Sequence, residues 1–378
     1  MRISSFARPD VKRIGVIAVA VIVLVAAWFA RDRWLRVTPG GVPSGPSVTT
    51  PSSDRHLEPP EPSERRDTAL EAQLLAIVNG APARCAIAAK HLGTGAVARV
   101  NAGEHLPLLS VVKLPVALVV LDSLDRGGWS MTTPITLISQ DMHPRGWLGD
   151  RFPRGGGPVA LHTLLVAMLT RSDNSAADAL MRLVGGPHAV TQWLVRHGID
   201  DLRVDRTERA LGDDWYGLAP GADTMWSSEE IRELRARVPD AVHDSAARAM
   251  LLDPRDTGTA DACVNLLERL WRGELLSPVM TDTLKGMLAR CKTAPHRMPA
   301  LLPKGTPIAR KTGTGGTSMG VTIGINDVGV IRLPTGEDVA LAVLIAEPRG
   351  RPVRAERLIA RVARAVFDAW SNERAGER

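Results

Sequence analysis

The sequence predicts an α/β fold of the α+β kind: an antiparallel sheet assembled from strands near both ends of the folded unit, flanked by helices, with an all-helical lobe inserted between them. Three observations carry this expectation. Strand-like segments punctuated by turn residues occur at 85–100 and again at 308–346, helical periodicity fills the middle, and a last helix closes the chain. With 378 residues and 44% hydrophobic content, the chain can bury the core of one large domain or two ordinary ones. Global disorder and a disulfide-stapled miniprotein are excluded.

Lys and Arg outnumber Asp and Glu by 47 to 41, giving a net charge of +6 and a pI near 9.6. Seven of the basic residues fall in residues 1–36, where only Asp10 and Asp32 oppose them, so the remainder of the chain is close to neutral. A nucleic-acid partner is therefore not expected. Between those charges Ile14 to Ala30 reads IGVIAVAVIVLVAAWFA, an uncharged run of about the minimum length that crosses a bilayer as a helix. It reads as an uncleaved anchor; a signal peptide cleaved near Ala26-Ala27 or Ala30 is the alternative, disfavoured by the bulky Trp28 and Phe29. Four basic residues precede the run and three come after it, which leans toward a cytoplasmic N-terminus and a periplasmic body tethered to the inner membrane. Residues 37–66, rich in Pro, Ser, Gly and Thr, cannot bury enough apolar surface to order themselves and read as an extended linker. The expected organisation is thus 1–36 membrane segment, 37–66 linker and 67–378 one folded unit, read as a monomer.

Within that unit Asp67 to Val78 has helical periodicity, and Cys85–Lys90 and Gly95–Val100 read as strands joined by a Gly-Thr-Gly turn. Helical patterns come next over Val111–Leu124, Leu161–Leu183, His188–His197 and Cys263–Trp271. Strand character returns over Ile308–Thr312, Met319–Arg332 and Asp338–Ala346, with Pro334-Thr335-Gly336 as a hairpin turn, before a helix over Pro352–Trp370. Cys85, Cys263 and Cys291 match no zinc or haem spacing. Either one disulfide forms, with Cys263 and Cys291 the favoured pair, or all three are thiols. The nine histidines lack an H-x-x-x-H or H-E-x-x-H arrangement, and neither a metal nor an organic cofactor is inferred.

Three short motifs carry chemistry. In Leu108-Leu-Ser110-Val-Val-Lys113, a serine that opens a helix is followed three residues later by a lysine on the same face, placing an amine beside a hydroxyl. A neutral lysine there could take the serine proton. Ser172-Asp173-Asn174 adds a second hydroxyl to pass protons to a leaving nitrogen, and an amide for a substrate carbonyl. Lys311-Thr312-Gly313-Thr314 reads as an edge strand along a cleft. There Lys311 supplies a cation and Thr312 a hydroxyl for a carboxylate, and Gly313 leaves room for substrate against the backbone. A phosphate-cradling loop is excluded because Lys311 precedes its glycines. Each motif alone has an ordinary reading as a helix cap or surface lysine.

Together and in this order, S-x-x-K, S-D-N and K-T-G resemble the class A β-lactamases and the related penicillin-binding serine enzymes over about residues 67–378. Gly185-Gly186-Pro187, Arg206-Thr-Glu208-Arg-Ala-Leu211 and Asp253-Pro-Arg255-Asp256-Thr257 add to the likeness. The resemblance implies a β-lactamase/DD-peptidase-like fold, Ser110 as the acylated nucleophile, and the N–H groups of Ser110 and Thr314 as an oxyanion hole. It further implies that Lys113 and Ser172 relay protons, that Asn174, Lys311, Thr312 and Thr314 hold substrate, and that Glu208, on a loop below the nucleophile, activates the deacylating water. An Arg206–Asp256 ion pair would close the base of that loop. By the same resemblance Trp147 walls the cleft mouth, Arg297 reaches toward a substrate carboxylate, and Asn326-Asp327 forms a structural turn.

Two departures stand out. Gly212 occupies the place, four beyond Glu208, where the family usually has an asparagine that helps hold the water. And 48 residues separate Glu208 from Asp256, far more than is usual, so that the segment 213–252 is an insertion. Its charged stretch Ser227–Arg237 is expected to pack outside as an added helix, while Trp215 and Tyr216 are left open. The function implied is a serine β-lactamase acting on a small β-lactam. A penicillin-binding DD-peptidase of peptidoglycan, or a slowly deacylating β-lactam sensor, are the alternatives.

Overall fold

Asp67 links the first helix to the last because its carboxylate serves both: Leu70 N donates to Oδ1 at 2.9 Å, capping the first helix, and Trp370 Nε1 donates to Oδ2 at 2.9 Å, tying the last helix to it. The computed structural model describes residues 64–144, 146–218 and 227–371. The expected membrane segment and the linker up to residue 63 lie outside the described residues. Among those described, no helix is long and apolar enough to cross a membrane.

The order begins β1 (Arg65–Arg66), α1 (Thr68–Val78), β2 (Arg84–His91), β3 (Ala96–Val100) and β4 (Leu106–Pro107), then a 3₁₀ turn over Leu109–Val112. The helical lobe comes next: α2 (Lys113–Asp125), β5 (Pro134–Thr136), α3 (Trp147–Arg151), β6 (Pro158–Ala160), α4 (Leu161–Thr170), α5 (Asn174–Leu183), α6 (Pro187–Arg196) and α7 (Glu208–Tyr216). After α8 (Ser228–Ala236) and α9 (Asp240–Leu251) come β7 (Thr257–Gly258), α10 (Ala260–Arg272) and α11 (Pro278–Leu288). The chain returns to the sheet through β8 (Ile308–Thr314), β9 (Thr317–Ser318), β10 (Val321–Thr322), β11 (Gly324–Arg332) and β12 (Asp338–Ala346), and ends in α12 (Val353–Trp370).

The main sheet has the order β1-β3-β2-β12-β11-β8, antiparallel except for the β1–β3 pair. Strands from both ends of the unit therefore meet at its centre, with the helical lobe between them in sequence. Arg65–Arg66, expected in the linker, instead forms the outer strand, and Glu64 pairs with Arg99 at 2.8 Å.

The central strands are buried on both faces, and their period-2 alternation divides the core. In β12, Ala340, Ala342, Leu344 and Ala346 face the helical lobe, while Val339, Leu341, Val343 and Ile345 face α1 and α12. On the lobe side the strand residues are mostly alanine, which lets α10 pack closely against β12 and β2.

Three local expectations are corrected. Leu161–Leu183 is not one helix: it breaks at Ser172, whose φ of +59° lies in the left-handed region, and Asp173 restarts it by accepting from Ala176 N at 2.9 Å. The apolar period runs through the break because both helices bury into the same lobe. Asn326-Asp327 is not a turn, since both residues lie fully buried within β11. All three cysteines are free, so the Cys263–Cys291 disulfide is not formed, and burial pushes the Cys85 thiol up to about 11 and Cys263 up to about 12.

Candidate active site

Ser110 sits in the 3₁₀ turn that leads into α2, with Lys113 one turn later at the helix start. Leu109, just before it, has φ +54°, a conformation a β-carbon disfavours and the surroundings must hold. Asn326 is one such support: its Nδ2 donates to Pro107 O at 2.8 Å and Leu108 O at 3.1 Å, while its Oδ1 accepts from Ile345 N at 3.1 Å. One buried amide thus ties β11 and β12 to the approach to Ser110. Gly313 completes the contact from β8. A β-carbon there would lie 2.7 Å from Leu108 O, so this glycine admits the nucleophile's own loop, rather than the substrate that the motif suggested.

Lys113 is fully buried and donates toward four acceptors, Ser110 Oγ at 2.9 Å, Ser172 O at 3.0 Å, Ser172 Oγ at 3.2 Å and Asn174 Oδ1 at 2.6 Å, and its Nζ forms an ion pair with Glu208 Oε1 at 3.0 Å. Four of the sequence-selected residues therefore converge on one amine. This acceptor shell includes both a hydroxyl to be activated and a carboxylate that can exchange protons with the amine. The Ser172 hydroxyl also accepts from Lys311 Nζ at 2.9 Å, so it bridges the two lysines. Burial, followed by the charge of Lys113, pushes Lys311 down to about 7.

Glu208 is buried at the first position of α7, a regular helix where a loop was expected. Burial would raise its carboxyl; the adjacent Lys113 outweighs that and holds it below the usual range, as a carboxylate. Its backbone is clamped by Asp178 of α5, which accepts from Glu208 N at 2.7 Å and Arg209 N at 2.9 Å and touches His143 Nε2 at 2.8 Å. Sequence reasoning missed Asp178. Its only local signal is its place one turn beyond Asn174 on the same helix. Arg206 makes the expected ion pair with Asp256 at 2.6 Å and adds Asp253 at 2.9 Å and Asp214 at 2.8 Å, the last two from the insertion and its edge.

Among the remaining site residues, Thr312 Oγ1 lies 2.6 Å from Thr293 Oγ1, and Thr314 is exposed at the end of β8. Arg297 is 2% exposed, which excludes a solvated surface arginine. Its guanidinium donates to Gly313 O at 2.8 Å, Asn326 O at 2.9 Å and Thr314 Oγ1 at 2.7 Å. It thus touches the K-T-G strand, and only through Thr314 would it face a ligand. Trp147 opens α3 and is 43% exposed.

The insertion is not an appendage. Trp215 packs against Gly316, where a β-carbon would fall 2.5 Å from the indole, and edge-on to His243 of α9, while Tyr216 stacks on the same imidazole. Ser228, at the start of α8, donates from its backbone N–H to Pro153 O and from Oγ to Gly149 O. Ser318 Oγ donates to Asp244 of α9 at 2.6 Å. These contacts hold α7, α8 and α9 against both α3 and the β9–β10 hairpin.

A hydroxyl, an ammonium and a carboxylate in contact, with a second hydroxyl linked to a second cation, is an arrangement suited to acyl transfer through a serine ester and its hydrolysis. Residues 69–370 match the model of the β-lactamase enzyme family. The chain is 27% identical over 277 residues to β-lactamase VEB-1 of Pseudomonas aeruginosa, covering 73% of this chain and 81% of that one. It is 28% identical over 304 residues to a β-lactamase of Bacteroides uniformis, covering 79% and 90%. Among solved structures, the TLA-3 extended-spectrum β-lactamase superposes with a TM-score of 0.68 at 25% identity, over 81% of this chain and 99% of that one. The chain belongs to the β-lactamase enzyme family.

Proposed function

We propose that the protein is a class A serine β-lactamase that opens the β-lactam amide through an ester on Ser110. The single observation that carries this is the unbroken contact Ser110 Oγ–Lys113 Nζ–Glu208 Oε1, at 2.9 and 3.0 Å, which joins a nucleophile to a buried carboxylate. As Ser110 Oγ attacks the carbonyl carbon, its proton passes to Lys113 as Lys113 passes one to Glu208. The C–N bond breaks, and the nitrogen takes a proton from Ser172 Oγ, which is replenished from Lys113. In the second half, Glu208, having returned its proton to Lys113, takes a proton from water, the water oxygen attacks the ester carbon, and the C–O bond to Ser110 breaks as Oγ takes a proton from Lys113, which Glu208 replenishes. Asn174, Lys311, Thr312 and Thr314 are the groups suited to hold the substrate amide and carboxylate, and Arg297 positions Thr314. No step calls on a metal or cofactor.

The apolar run Ile14–Ala30 and the Pro- and Ser-rich linker support a periplasmic, monomeric domain held at the inner membrane, with Ile14–Ala30 retained in the mature chain when its N-terminus is sequenced. To test the activity, the full chain is mixed with a chromogenic β-lactam. Catalytic colour release that is abolished in Ser110→Ala is expected. Hydrolysis persisting in Ser110→Ala would remove Ser110 from the role, and a permanent adduct without turnover would favour the sensor alternative.

A further inference from the structure

Gly212 stands in the middle of α7, where glycine costs about 1 kcal/mol relative to alanine and calls for a packing reason. The reason lies in the insertion. A β-carbon on Gly212 would fall 3.1 Å from Arg235 Cζ and closer still to its NH2, so the guanidinium from α8 occupies the space a side chain would take. Arg235 is held there by three restraints: NH2 donates to Asp213 Oδ1 at 3.0 Å, the guanidinium lies 5.1 Å from the centre of the Tyr216 ring, and its side chain is only 12% exposed. Its Nε–H is buried and has no partner among the described residues.

Gly212 is one helical turn beyond Glu208 and on the same face of α7. The water that Glu208 would activate needs at least a second polar partner to be held in one orientation. The helix supplies none at Gly212, and the inserted helix places the Arg235 guanidinium there, with its Nη2 and Nη1 nitrogens against that position. We propose that Arg235 is a positioning residue for deacylation, its guanidinium holding the hydrolytic water beside Glu208. This rests on the hydrolytic reading of Ser110 and Glu208 above. It gives the insertion a part in turnover and accounts for a glycine where a side chain would collide.

The test uses the full chain, with pre-steady-state colour release and intact mass on the same β-lactam. Arg235→Ala is expected to slow deacylation by on the order of 10- to 100-fold. Because only the second step is affected, kcat and KM fall by the same factor, kcat/KM is unchanged, and the acyl-enzyme accumulates. Arg237→Ala, an exposed arginine at the end of the same helix, leaves all three unchanged. Emptying the seat lets an amide be built from the other side, so Arg235→Ala combined with Gly212→Asn regains part of the lost rate. Wild-type deacylation in Arg235→Ala overturns the proposal. So does a loss that appears equally in kcat/KM and melting temperature, or a double variant with no recovery, since each marks Arg235 as structural. A wild-type chain that never forms an acyl adduct overturns the hydrolytic reading itself, an outcome distinct from turnover indifferent to Arg235.

Discussion

Lys311 is the residue whose state should be most visible from outside. Burial and the neighbouring Lys113 hold it down to about 7, so raising the pH through that value in the free protein removes the cation meant for a substrate carboxylate. That fixes the sign: for a carboxylate-bearing β-lactam, kcat/KM falls as pH rises from about 6 to about 9, with the loss in KM. Lys311→Arg, which stays charged across that range, flattens the profile; a wild-type kcat/KM that does not fall contradicts the assignment. The other lysine, Lys113, faces the Glu208 carboxylate as well as two hydroxyls. Residues of this kind were legible in the sequence because each motif lies within one helical turn or one strand. Asp178, Thr293, Arg235 and the burial of Arg297 were not, since each acts through a contact across the fold that leaves no local pattern.

At the scale of elements, the base of α7 is held by one guanidinium shared among three carboxylates. Arg206 is buried with Asp256, and it reaches Asp253 and Asp214 from the same Nη1. Removing one partner of a buried pair leaves the other charge unpaired, so Arg206→Ala is expected to cost about 3–5 kcal/mol. The denaturant midpoint measures this, and a loss below about 1 kcal/mol would place the pair among weakly contributing surface bridges. The Arg206–Asp256 pair was anticipated. Its extension into the insertion was not, because Asp214 and Asp253 meet only when α7 through α9 fold back on themselves. The helix break at Ser172 was missed for a related reason: the apolar period continues across it, and only the Asp173 cap and the positive φ reveal two helices serving one lobe.

On the scale of the whole molecule, the sheet joins both ends of the folded unit, and the residues of the candidate site come from pieces far apart in sequence. Ser110 and Lys113 follow the short strand β4, Ser172 and Asn174 come from the helical lobe, Glu208 from the segment that leads into the insertion, and Lys311 from the returning edge strand. The alternation of strands and helices was enough to predict that layout. It could not show that Gly313 and Asn326 exist to seat the nucleophile's loop, which depends on the close approach of β8 and β11 to Leu108. In the proposed reaction, turnover depends on Glu208 releasing the ester formed on Ser110. The direct measurement is the intact mass of the full-length Glu208→Gln variant, followed in time after a single addition of β-lactam. An adduct on Ser110 that persists, while the wild-type adduct decays as product appears, is the predicted result; decay at the wild-type rate in Glu208→Gln would contradict it.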